Sequence, residues 1–139
     1  MNKCTDLQIR QGDVYIFLLK DKLPDDLLTV KPVGNNNILA YGEASGHAHA
    51  IRKDHCELYH ANDNLIELAK KYGITEPRAV SYALRVVVDN ARLLHGTPTK
   101  DFTDPSDPDH LPIDLPAGDY IVLRPREYSD EDEFKVIAD

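Results

Sequence analysis

Apolar and polar positions alternate along this chain in short bursts, and most bursts have the period of strands. "DVYIFLL" (13–19) is a dense apolar and aromatic run bounded by charge, which predicts a buried strand. "DKLPDDL" (21–27) breaks it, because two acidic residues after Pro24 favour a turn. "LLTVKPV" (27–33) predicts an edge strand, since Pro32 has no amide to give a central ladder. "GNNN" (34–37) is a turn signal, and "ILAYGE" from Ile38 opens the next strand. "SGHAHAIR" (45–52) and "CELYH" (56–60) alternate well enough for two more.

The period changes once. In "NDNLIELAKKYG" (62–73), Leu65, Leu68 and Ala69 recur at helical spacing, Asn62 or Asn64 suits the cap, and Gly73 suits the stop. The spacing predicts one short helix over 64–72. "SYALRVVV" and "ARLLH" flank Asp89 and Asn90, which predicts a hairpin. Residues 96–109 are rich in proline and aspartate and predict an exposed loop. "DYIVLR" (119–124) is a strand fed by a turn at Pro116-Ala117-Gly118, and the terminal "FKVIA" is apolar enough to dock on the body. Short strands punctuated by turns predict an all-β fold with one short helix: a small β-barrel or a two-sheet sandwich.

Size and charge narrow the picture. At 139 residues the chain is expected to form a single domain over 1–139 that needs no disulfide or metal to be stable. Sixteen basic against 24 acidic residues give a net charge of −8, a field that repels phosphate backbones and anionic lipid. Nucleic acid and membrane are therefore not the expected partners. Cys4 and Cys56 form no CxxC pair and are expected to be free thiols. The first thirteen residues hold no apolar leader, and no run reaches the length of a membrane helix. A soluble, cytoplasmic protein is the expectation.

The candidate chemistry lies in the histidines. In a strand, residues i and i+2 share a face, so His47 and His49 of "GHAHA" can aim both imidazoles at one point. Neutral imidazole is the commonest ligand of zinc and also suits iron and nickel, with manganese a further divalent candidate. Gly42 and Gly46 permit close backbone approach beside the pair, and Ala48 and Ala50 are small. His95, ending one apolar strand, and His110, preceding another, are the candidate third and fourth ligands, while Asp54 and Glu43 are candidate oxygen donors. The bland counterpart is a set of imidazoles bonded to neighbouring carboxylates. His55 and His60 stand in polar surroundings and read as solvated. Arg124, Arg126 and Tyr128 of "RPREY" alternate, so the two guanidinium groups are candidate ligands for a small anion, against a purely structural ion pair.

Two resemblances carry these residues further. "GHAHAI" and "LPAGDY" resemble the two motifs of the cupins, small β-barrels whose metal is held by an HxH pair, a following carboxylate and a later histidine. His47 and His49 match the pair and Asp54 falls near the carboxylate, but Ile121 stands where the later histidine is expected. More of the chain resembles a group of small bacterial and phage proteins without an assigned function. These share a GE-(Thr/Ser)-GHxH stretch, two later histidines and an LPxGxY…REY stretch, matched here by "GEASGHAH", His95, His110 and "LPAGDYIVLRPREY". That resemblance implies a four-histidine constellation and names no substrate.

The functional expectation is a small β-protein binding a divalent transition metal through His47, His49, His95 and His110. Four protein ligands would close the site, whereas three would leave a position open to a small-molecule ligand. No nucleophile–base pair stands out, so no reaction follows; Glu43 is the foremost candidate general base, against a surface glutamate or a hydrogen-bond partner for an imidazole. The alternative is a non-catalytic binding or assembly module, a homo-oligomer among its forms, with structural histidines and an acidic interaction surface.

Overall fold

The computed structural model describes residues 4–32, 37–41, 48–96, 112–124, 126–128 and 134–136. In chain order its strands are β1 (Cys4–Gln11), β2 (Val14–Leu19), β3 (Ile38–Tyr41), β4 (Ala48–Ala50), β5 (Cys56–His60), β6 (Val80–Val86), β7 (Ala91–Gly96), β8 (Ile113–Leu115), β9 (Gly118–Leu123), β10 (Arg126–Tyr128) and β11 (Phe134–Val136). The single α-helix among the described residues, α1, spans Asp63–Lys71.

The strands form a five-stranded sheet in the order β1-β2-β9-β6-β5, a four-stranded sheet in the order β3-β4-β7-β8, and a two-stranded ribbon of β10 and β11. Every ladder is antiparallel. Ile16, Leu58, Leu84, Tyr120 and Val122 of the first sheet share one buried cluster with Leu39, Leu93 and Leu115 of the second. No ladder among the described residues joins the two sheets. The fold is a sandwich, not a closed barrel.

The other face of the five-stranded sheet is covered as well. Leu65 and Ala69 of α1 and Leu23 and Leu27 of the 21–28 segment pack on Ala83, Ile121 and Leu123. β9 therefore buries both faces, which explains why "YIVL" is unbroken apolar sequence rather than alternating. The helix begins one residue before the expected 64, and of the two cap candidates Asn62 serves: its side chain accepts a hydrogen bond from the Leu65 amide at 2.8 Å. No helix among the described residues is long and apolar enough to cross a membrane.

Three expectations need correction. Residues 28–32 join no sheet; the carbonyl of Val30 accepts the His60 amide at 2.7 Å, and Pro32 has no amide with which to extend the pairing. Asp89 and Asn90 do not close a hairpin, because β6 pairs with β5 and β9 while β7 pairs with β4 and β8. The turn carries the chain from one sheet to the other, so that Leu84 and Val86 come to share the inter-sheet core with Ala91 and Leu93. "RPREY" is not one strand: β9 ends at Leu123 and β10 starts at Arg126.

β1 was not among the expected strands. β1 pairs with β2 through a two-residue turn, with Gln11 opposite Val14. Gly12 sits there at φ 59, the positive angle of the primed turns whose twist suits a tight hairpin. Asp13, the second turn residue, is buried. Gly96 ends β7, and 97–109 of the expected loop lie outside the described residues.

Candidate functional site

His49 stands at the centre of β4 and His95 near the end of β7, and the two are direct partners in the antiparallel register. Directly opposed residues project to the same face of a sheet. Leu93, two residues before His95, belongs to the inter-sheet core, which places this face inside the sandwich. Both imidazoles are accordingly buried, His49 at 0% and His95 at 4% exposure. Their ring centres lie 4.4 Å apart with the planes tilted by 31°.

The opposing sheet contributes Gln11, itself 3% exposed. Its Oε1 lies 2.8 Å from His49 Nδ1, and its Nε2 donates to the Leu93 carbonyl at 3.3 Å. Gln11 thus ties β1 of one sheet to β4 and β7 of the other. Burying polar groups is costly unless they are hydrogen-bonded, so the cluster is a specified feature of the core.

Of the four candidate metal ligands, the structure brings His49 and His95 together. His47 and His110 lie outside the described residues, as do Glu43, Gly42 and Gly46. Among the described residues no group of three or more His, Cys, Asp and Glu side chains is arranged to hold a metal ion. Asp54 stands on the surface in a one-turn helix, its Oδ1 3.6 Å from Arg52 Nε and 3.9 Å from His55 Nε2. His55 is half-buried, whereas His60 is exposed and stacks on Tyr82 with ring centres 5.6 Å apart.

The Arg124 guanidinium lies over the buried carboxylate of Asp13, Nε to Oδ2 3.3 Å, and the Arg124 amide donates to Ala79 O. This ion pair ties the end of β9 to the β1–β2 turn. Arg124 also borders a cleft of about 480 Å³ with Tyr82, His60 and Ile38. Arg126 pairs through its backbone with Val136.

A second polar cluster lies on the other face of the five-stranded sheet. Arg85 and Asp119 are direct partners across β6 and β9, joined through Nε–Oδ1 at 2.9 Å and Nη2–Oδ2 at 3.0 Å. Asp119 Oδ2 also accepts the Leu23 amide at 2.6 Å, and Arg85 Nη2 donates to Leu23 O at 3.3 Å. The hydrogen bond to Asp119 raises the Arg85 pKa further. Burial, reinforced by the charges of Glu57 and Asp54, pushes the Cys56 thiol up to about 12 and makes it a poor nucleophile at neutral pH. Burial likewise pushes Tyr120 up to about 12, its hydroxyl donating to Pro116 O.

Gln11 and the Arg85–Asp119 pair were not among the candidates read from sequence. A parity signal existed for Gln11: Leu7, Ile9 and Gln11 share one face of β1, so a glutamine completes an inward-facing apolar series.

No curated protein and no solved structure matches the chain. A family model described as a domain of unknown function, DUF8820, matches residues 10–125, a span that takes in Gln11, both buried histidines and both ion pairs, and the chain belongs to that family.

Proposed function

We propose that the protein binds a divalent transition metal, such as zinc, nickel, iron or manganese, with His49 and His95 as two ligands and His47 and His110 completing the set. The observation that supports this reading most is the pairing of two buried imidazoles from strands far apart in sequence. Metal–nitrogen bonds of about 2.0–2.1 Å place the ring centres of two imidazole ligands roughly 4.5 Å apart at a right-angled ligand angle and roughly 5.2 Å apart at a tetrahedral one, so the 4.4 Å found here would open slightly around an ion. The sandwich core would supply a dry, rigid wall behind the pair, and strand parity would carry His47 to the same side as His49. The likeness of "GHAH" to the cupin HxH pair supports the same chemistry.

A site of this kind holds a closed structural ion with four protein ligands, or an ion with one open position for a small molecule with three. Elemental analysis of purified protein after incubation with each metal in turn is the test. One equivalent per chain, lost on replacing His47 and His49 together by alanine, is expected. Failure to take up zinc, nickel, manganese or iron would leave the histidines as a structural cluster in a binding module.

A further inference from the structure

We infer that Gln11 is a positioning residue that locks His49 in the tautomer with its proton on Nδ1, so that the lone pair of the neutral ring sits on Nε2. The argument runs through the carboxamide. Its two ends are chemically opposite, since the oxygen only accepts and the amino group only donates. The Leu93 carbonyl also only accepts, so the end of Gln11 that meets it must be Nε2, as the 3.3 Å contact has it. That leaves Oε1 facing His49 Nδ1 at 2.8 Å. An acceptor at that distance requires a proton on Nδ1, and in the neutral ring the lone pair then sits on Nε2.

The direction matters, because an unconstrained neutral imidazole favours the opposite tautomer, with its proton on Nε2. A backbone carbonyl in a β-sheet cannot rotate, so one strand of the second sheet fixes the amide of Gln11 and the amide fixes the ring on the next strand. This arrangement, a ring whose second nitrogen is hydrogen-bonded to a fixed acceptor, is the one that orients metal-binding histidines and raises their basicity. It rests on the metal-binding reading for its purpose, but the tautomer is a property of the protein alone.

Two measurements keep the claims apart. Long-range ¹H–¹⁵N spectra of the metal-free protein at a pH where His49 is neutral should show a protonated Nδ1 and a pyridine-like Nε2. Gln11→Leu, folded as judged by its dispersed amide spectrum, should move His49 towards the Nε2-protonated form, and Gln11→Glu, which keeps an acceptor for Nδ1 but gives the Leu93 carbonyl no donor, should keep the proton on Nδ1. An Nε2-protonated His49 in the wild type overturns the lock whether or not metal binds. Zinc affinity should fall about tenfold or more in Gln11→Leu and recover in Gln11→Glu. A shifted tautomer with unchanged zinc affinity overturns the positioning role, and a wild type that binds none of zinc, nickel, manganese and iron overturns the metal reading while the tautomer result stands on its own.

Discussion

Asp119 and Arg85 face each other across β9 and β6 and form a two-armed ion pair whose carboxylate is 3% exposed. Asp119 spends its second oxygen on the Leu23 amide as well, so one side chain joins two strands and pins the 21–28 segment over the sheet. Asp119→Asn leaves a guanidinium with a neutral partner and should cost about 3 kcal/mol, because removing one member of a buried pair strands the other. Urea denaturation measures the loss, and amide exchange at 23–28 should accelerate. Unchanged exchange in that segment would mean that Leu23 and Leu27 hold it by packing alone.

The Cys56 thiol is buried, and its pKa is raised from 9.0 to about 12. A raised pKa means that the folded state favours the neutral thiol. Its contribution to stability is fully present below pH 9.0 and is lost as pH rises towards about 12. In a Cys4→Ser background, a thiol reagent at pH 8 should leave the native protein unlabelled and label it on unfolding. Rapid labelling of the folded protein would contradict this burial.

Gly118 opens β9 at φ +149, and a Cβ placed there would lie 3.0 Å from Leu18 Cδ1 on the neighbouring strand. Gly118→Ala should therefore cost at least about 1–3 kcal/mol through backbone strain. Asn62→Ala, which removes the helix cap, should cost about 1 kcal/mol. Thermal melts of the two variants should rank Gly118→Ala as the more damaging.

Much of the fold was legible because period-2 and period-3.6 patterns report burial directly. The strands at 14–19, 48–50, 80–86 and 118–123 and the helix at 63–71 follow from apolar spacing and an asparagine cap. Partnership was less legible, since it depends on long-range geometry. Leu84 and Leu93 read equally well as neighbours in a hairpin or as facing residues of two sheets, and only the inter-sheet packing decides. β1 was hidden because its inward face offers only Leu7 and Ile9 before the polar Gln11, with Gln8 and Arg10 exposed on the other face, although Gly12-Asp13 before "VYIF" was a usable turn signal. The site divides similarly. His49 was found by its HxH parity and His95 by its place at a strand end, whereas Gln11 is polar in an inward position and acquires meaning only from what it touches.

Titration calorimetry of the metal-free protein with zinc tests the central claim most directly. Wild type should show one tight site per chain. His49→Ala and His95→Ala should each weaken it severely, since each removes one nitrogen ligand, while a His55→Ala/His60→Ala double variant should bind as wild type does. Equal binding by wild type and the folded His49→Ala and His95→Ala variants, or no binding by wild type of zinc and, in parallel titrations, of nickel, manganese and iron, would contradict the account.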